Sequence, residues 1–126
     1  MLFRSAMCNS AEAFSVPSQN LRLNSYSQTV KIDAFNIQSA VIDSSTVIIR
    51  NQGGDGVVGD IQVDHSTLIL CGYKSFVSIK GTSNTVIVIG GSIQELALSS
   101  STVLLGNASV EFSNSSSSTV KSFILK

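Results

Sequence analysis

The chain has 126 residues, enough for one domain, with 43% hydrophobic residues, 6% aromatics, no tryptophan and a single proline. Its formal net charge is zero and no lysine or arginine lies between Lys80 and Lys121, which argues against partners that must be neutralised by clustered cations, nucleic acid and anionic membrane surfaces alike. No run of 18 apolar residues is present, so no helical membrane span is expected.

In chain order, residues 1–20 show no pattern and are read as a cap or arm; the open end of a repeat stack is usually covered by an atypical unit. From residue 21 a period takes over. Thr29, Thr46, Thr67, Thr85, Thr102 and Thr119 each precede an aliphatic residue: Val30, Val47, Leu68, Val86, Val103 and Val120. The steps between the threonines are 17, 21, 18, 17 and 17 residues. Ser27, Ser44, His65, Ser83, Ser100 and Ser117 stand two before them. Each Thr-aliphatic pair is read as the start of a strand, and a second strand precedes it, over 21–23, 37–42, 61–63, 76–79, 93–98 and 110–112. Gly72, Gly81, Gly90, Gly91 and Gly106 are expected at or near turns. The step of 21 coincides with Asn51-Gln-Gly-Gly-Asp-Gly, read as an inserted turn, and Ser113-Asn-Ser-Ser-Ser-Ser is read as a widened one.

Two strands and two turns in 17–18 residues predict an all-β, single-domain parallel β-solenoid of about six coils over residues 21–126. Side chains alternate faces along a strand. The aliphatic column and the column two residues later, Ile32, Ile49, Leu70, Val88 and Leu105, are therefore expected inside. In the preceding strands the same alternation pairs Val77 with Ile79, Leu96 with Leu98 and Val110 with Phe112, leaving Phe76 out of step. Outside are expected the hydroxyl columns Ser44, Thr46, Thr67, Ser83, Thr85, Ser100, Thr102, Ser117 and Thr119. The position after the aliphatic also points outward, and there Ile48, Ile69, Ile87 and Leu104 form an apolar ladder closed at its ends by Lys31 and Lys121. Four adjacent aliphatic side chains are poorly left in water, so this ladder is the expected interface with another copy or another protein. Burial of both faces, for example under the N-terminal arm, is the alternative.

No residue constellation points to catalysis or to a cofactor. Asp55, Asp60 and Asp64 lack the repeated oxygen-ligand spacing of a calcium loop. His65 is the only histidine, so no zinc set can be assembled around it, and as a strand neighbour of Asp64 and Ser66 it cannot relay a proton between them. Cys71 ends an apolar run and reads as a small buried hydrophobe; its pairing with Cys8 is left open.

The runs Ser-Asn-Thr-Val-Ile-Val-Ile-Gly (83–90) and Ser-Ser-Thr-Val-Leu-Leu-Gly (100–106) resemble the Ser-Asn-Asn-Thr-Val-Thr-Val repeats of a bacterial family of small β-solenoid proteins of unknown function. The likeness covers about residues 44–120, with isoleucine or leucine here where that family alternates threonine. The Ser-x-Thr pairs at 44/46, 83/85, 100/102 and 117/119 look like the Thr-x-Thr arrays of solenoid ice-binding proteins, with serine lacking one methyl and His65 interrupting the grid. In outline the coils are also similar to the β-helical domain of cyclase-associated proteins and tubulin-folding cofactor C. The expected function is that of a non-enzymatic structural or assembly protein that binds through its repetitive face. Ice binding is the alternative and a carbohydrate-active β-helix the third reading.

Overall fold

The computed structural model describes residues 19–25, 29–51 and 56–123. Residues 1–18, Ser27 of the first repeat and residues 52–55 of the inserted turn lie outside the described residues. The chain is all β. Six strands form the first sheet: β1 (Asn20–Asn24), β3 (Ile37–Asp43), β5 (Gly56–Asp64), β7 (Tyr73–Thr82), β9 (Ser92–Ser99) and β11 (Ser109–Ser113). The second holds β2 (Val30–Asp33), β4 (Thr46–Arg50), β6 (Thr67–Cys71), β8 (Thr85–Ile89), β10 (Thr102–Gly106) and β12 (Thr119–Phe123). Every pairing is parallel and joins strands two apart in sequence, so each coil adds one strand to each sheet. This is the β-solenoid that the threonine period predicts.

The second sheet follows the predicted register, with the inward column buried in its four middle strands, Val30 half-buried at one end and Val120, expected inside, 41% exposed on the last coil at the other. Val47, Leu68, Val86 and Val103 pair in one column, and Ile49, Leu70, Val88 and Leu105 in the next. All eight are buried in the core between the sheets. Stacking like on like packs each aliphatic side chain against its counterparts above and below, one strand spacing away, about 4.8 Å.

The first sheet departs from simple alternation. Its inward residues are spaced three and then two: Ile37, Ala40 and Ile42; Val58, Ile61 and Val63; Ile93, Leu96 and Leu98. β3, β5, β7 and β9 each spend one extra residue between their first and second inward positions, which reverses the parity of the residues beyond it. Phe76 is thus fully buried with Ile79, while Val77, expected inside, is 41% exposed. Phe112, expected inside with Val110, pairs with the outward Glu95 and is exposed, whereas Val110 pairs with the core residue Ile93.

The turns that lead into the second sheet also differ from expectation. Ser44, His65, Ser83, Ser100 and Ser117 have φ between 51° and 61° and lie in the turn, not on the strand. They face outward as predicted, but by way of left-handed backbone. Their amides donate to the next coil: Ser44 N to Asp64 O (3.0 Å), His65 N to Thr82 O (2.9 Å) and Ser83 N to Ser99 O (2.9 Å). Satisfying these otherwise stranded donors offsets part of the roughly 1–2 kcal/mol an L-residue loses in this conformation. The glycine expectation holds at the opposite corner, where Gly72 has φ 80° and a Cβ would meet Asn51 O at 2.1 Å. Gly106 instead lies at the end of β10.

At that corner Tyr73 is buried with its ring edge-on to Phe76, centroids 5.8 Å apart. Its hydroxyl donates toward Ala34 O (2.5 Å), with Arg50 O at 3.2 Å, so one side chain ties together three coils. Burial first, and the charge of Asp33 second, push this hydroxyl above its ordinary pKa of 10.0. The folded state keeps a proton that the unfolded chain releases, so stability is complete below about pH 10 and declines as pH rises beyond it. Tyr73→Phe should cost about 1–3 kcal/mol at neutral pH and flatten that alkaline decline; urea unfolding at pH 7 and pH 11 measures both.

Candidate functional site

On the outer face of the second sheet the predicted ladder is assembled in register. Lys31 pairs with Ile48, Ile48 with Ile69, Ile69 with Ile87, Ile87 with Leu104, and Leu104 with Lys121. Two residues further along each strand runs a second outward column, Asp33, Arg50, Cys71, Ile89 and Gly106. Asp33 and Arg50 form an ion pair there at 3.3 Å.

Ile69, Cys71, Ile87 and Ile89 make an apolar cluster separate from the core, with Ile48 and Leu104 packed against its flanks. Its centre is dry. Ile69 is 9% exposed, Ile87 8%, Cys71 3% and Ile89 1%, although all four point away from the core. Every described strand belongs to one of the two sheets, so no described element crosses this face. Cys71 is buried, as its apolar context predicts, but it is disulfide-bonded. Cys71 comes two residues after Ile69 and so shares its outward face.

The hydroxyl columns lie around the adjoining turn. Thr46, Thr67, Thr85, Thr102 and Thr119 pair in one column. Beside it the turn residues Ser44, His65, Ser83 and Ser100 complete a shallow open trough of about 620 Å³. The outermost pair, Ser117 and Thr119, are exposed on the last coil.

Between the two columns sits a buried polar ladder that the sequence pattern does not announce. The amide of Ser45 donates to Ser66 Oγ (3.1 Å), that of Ser66 to Asn84 Oδ1 (3.0 Å), that of Asn84 to Ser101 Oγ (3.0 Å) and that of Ser101 to Ser118 Oγ (3.0 Å). The hydroxyls in turn donate backward, Ser66 Oγ to Asp64 O (2.7 Å) and Ser101 Oγ to Ser99 O (2.8 Å). The ladder therefore satisfies the turn from within and leaves the trough the threonine and serine hydroxyls and the single imidazole of His65 to offer a ligand.

Asp60, Asp64 and Glu95, on the outside of the first sheet, are engaged in structural contacts. Asp60 accepts from Ser78 Oγ at 2.8 Å, and Glu95 lies 3.7 Å from Lys80. Asp64 accepts the Thr82 amide (3.0 Å) and Gln62 Nε2 (3.2 Å). His65 stands in the turn, exposed, rather than on a strand. No group of three or more histidine, cysteine, aspartate or glutamate side chains able to hold a metal occurs among the described residues. No helix among them is long and apolar enough to cross a membrane.

No protein-family pattern, no curated protein and no solved structure matches the chain.

Proposed function

We propose that the protein is a non-enzymatic assembly module whose working surface is the outer face of the second sheet, and that this face binds a second copy of the chain. The observation that carries the reading is the apolar cluster of Ile69, Ile87 and Ile89, with Ile48 and Leu104 at its flanks, which lies outside the core and plays no part in holding the two sheets together. Ile48 and Leu104 keep area that association would remove, at up to about 1.5–3 kcal/mol for each side chain fully buried; Ile69, Ile87 and Ile89, already at 9%, 8% and 1% exposure, supply the apolar floor on which that contact sits. A formal net charge of zero puts no long-range repulsion between copies. The ice-binding alternative needs its serine and threonine columns in one plane. Here they line two sides of a trough around a turn, and the assembly reading is preferred on that geometry.

The double change Ile69→Lys with Ile87→Lys should keep the β-rich circular dichroism, because both side chains lie outside the core between the sheets and a lysine's long stem can carry its amine past the apolar cluster to solvent. It should weaken self-association at least 100-fold. Light scattering across a concentration series, with and without reductant, reads the mass of parent and variant. A parent that stays monomeric under both conditions up to millimolar concentration overturns the reading.

A further inference from the structure

We infer that the trough beside the threonine column is a second binding site, and that it takes a straight, neutral glycan of the kind found in cellulose and chitin, lying along the stack. The trough shares no residue with the apolar ladder, so this site and the assembly surface stand or fall separately.

Register is the first argument. Thr46, Thr67, Thr85 and Thr102 pair in one column without offset. Their hydroxyls therefore recur once per coil, about 4.8 Å apart, over about 14 Å. Ser44, His65, Ser83 and Ser100 form the opposite bank, each turned outward by the same left-handed backbone and recurring at the same interval. A pyranose linked through opposite equatorial positions advances its chain by nearly one strand spacing and carries polar groups on both edges. Each ring can thus address one threonine and one turn residue. An extended peptide advances about 3.4 Å per residue and falls out of step with the coils.

The lining is the second argument. Serine, threonine, asparagine and one histidine make it up, with no lysine, arginine, aspartate or glutamate. Phosphates, or the carboxylates of an acidic glycan, would lie there without counter-charges. A sugar's alternation of O–H and C–H is instead matched by threonine, which sets a methyl beside each hydroxyl.

Availability is the third. The hydroxyls of Thr46, Thr67, Thr85 and Thr102 bond no other protein group among the described residues. The floor beneath them is fixed: Ser45 and Ser66 are 6% exposed, Asn84 and Ser101 5%, and each is tied to the next coil. A ligand meets banks already held in place, so little ordering cost opposes binding. Exchanging water for a sugar hydroxyl is nearly even at any single rung. The gain comes from several rungs meeting one chain, so affinity should follow chain length until the four coils are filled.

The test is a titration of the full chain, followed by amide chemical shifts, with cellobiose, cellotetraose and cellohexaose and with the matching chitin oligomers. Affinity should rise at least about 10-fold from the disaccharide to the tetrasaccharide and by less than about 2-fold beyond it. Thr67→Val with Thr85→Val removes two hydroxyls and keeps the branched shape. It should weaken tetrasaccharide binding at least about 10-fold while the melting temperature moves by no more than about 3 °C. Thr67→Ser with Thr85→Ser keeps the hydroxyls and should bind within about 3-fold of the parent. Preference for the chitin series would support the site and add an acetamido contact to it. Absence of saturable binding of both series at about 10 mM overturns the inference, since that is weaker than any specific site of this size. Affinity independent of chain length, undiminished binding by the double-valine variant, or equal binding of oligogalacturonate overturns it as well.

Discussion

Val86→Asp should abolish the fold. Val86 is fully buried, stacked between Leu68 and Val103 in the column that closes the core against the second sheet. An aspartate there finds aliphatic side chains above and below. Burying an unpaired carboxylate costs several kcal/mol, and the lost valine contacts add about 1.5 kcal/mol or more. Since whole domains are stable by about 5–15 kcal/mol, the variant should be largely unfolded or melt tens of degrees lower. Thr85→Asp is the control. It is one residue earlier, on the exposed face, and should change stability by no more than about 0.5 kcal/mol. Thermal melts monitored by circular dichroism separate the two, and equal melting of both variants would mean that β8 has a different register.

Asn84→Ala should have the second largest effect, about 2–5 kcal/mol, although it removes no apolar contact of note. The Asn84 side chain accepts from the Ser66 amide at 3.0 Å and donates to Val63 O at 2.8 Å. Alanine leaves a buried donor and a buried acceptor without partners, each at about 1–3 kcal/mol. Asn84→Ser should recover more than half of the loss, because serine supplies the same rung in the neighbouring coils at Ser66 and Ser101. Urea midpoints of the two variants decide the matter. If serine is no better than alanine, the rung contributes nothing and the cost lies in the cavity.

Sequence periodicity reaches further into one sheet than into the other, for a physical reason. In the second sheet β4, β6, β8 and β10 each begin at a threonine and run for five residues, so period-two counting from that threonine sorts inward from outward without error in these four strands. In the first sheet β3, β5, β7 and β9 change parity part-way along. The bend residues are of mixed type, Gln38 and Ser39, Gly59 and Asp60, Val77 and Ser78, Gln94 and Glu95, so no single residue type announces the change of parity. Counting straight through the bend puts Val77 inside and Phe76 outside, the reverse of the observed burial.

The apolar ladder is legible in the sequence for the same reason that the core is. The depth of its burial is legible only as an alternative, because the exposure of an outward side chain is not fixed by its own strand. The inner rungs at Ser45, Ser66, Asn84 and Ser101 are legible by parity, one residue before an outward threonine. They escape notice because hydroxyl-rich triplets read naturally as solvent-exposed turns.

Repetition carries a hazard for the folding chain. A strand that slips by one whole coil meets nearly the same residues: a threonine, an aliphatic, an outward isoleucine, another aliphatic. For β4, β6, β8 and β10 the misregistered stack would differ little in energy from the native one, and a landscape with such near-equal minima folds slowly or to a mixture. Tyr73 breaks the degeneracy. No other described coil has a tyrosine at that corner, and its hydroxyl is satisfied by the carbonyls of Ala34 and Arg50 in two different earlier coils. A chain slipped by one coil would bury that hydroxyl beside the wrong residues, with the ring lacking its edge-on contact to Phe76. The tyrosine thus works as a counting device, giving a chain of near-identical turns a single place from which the others are numbered.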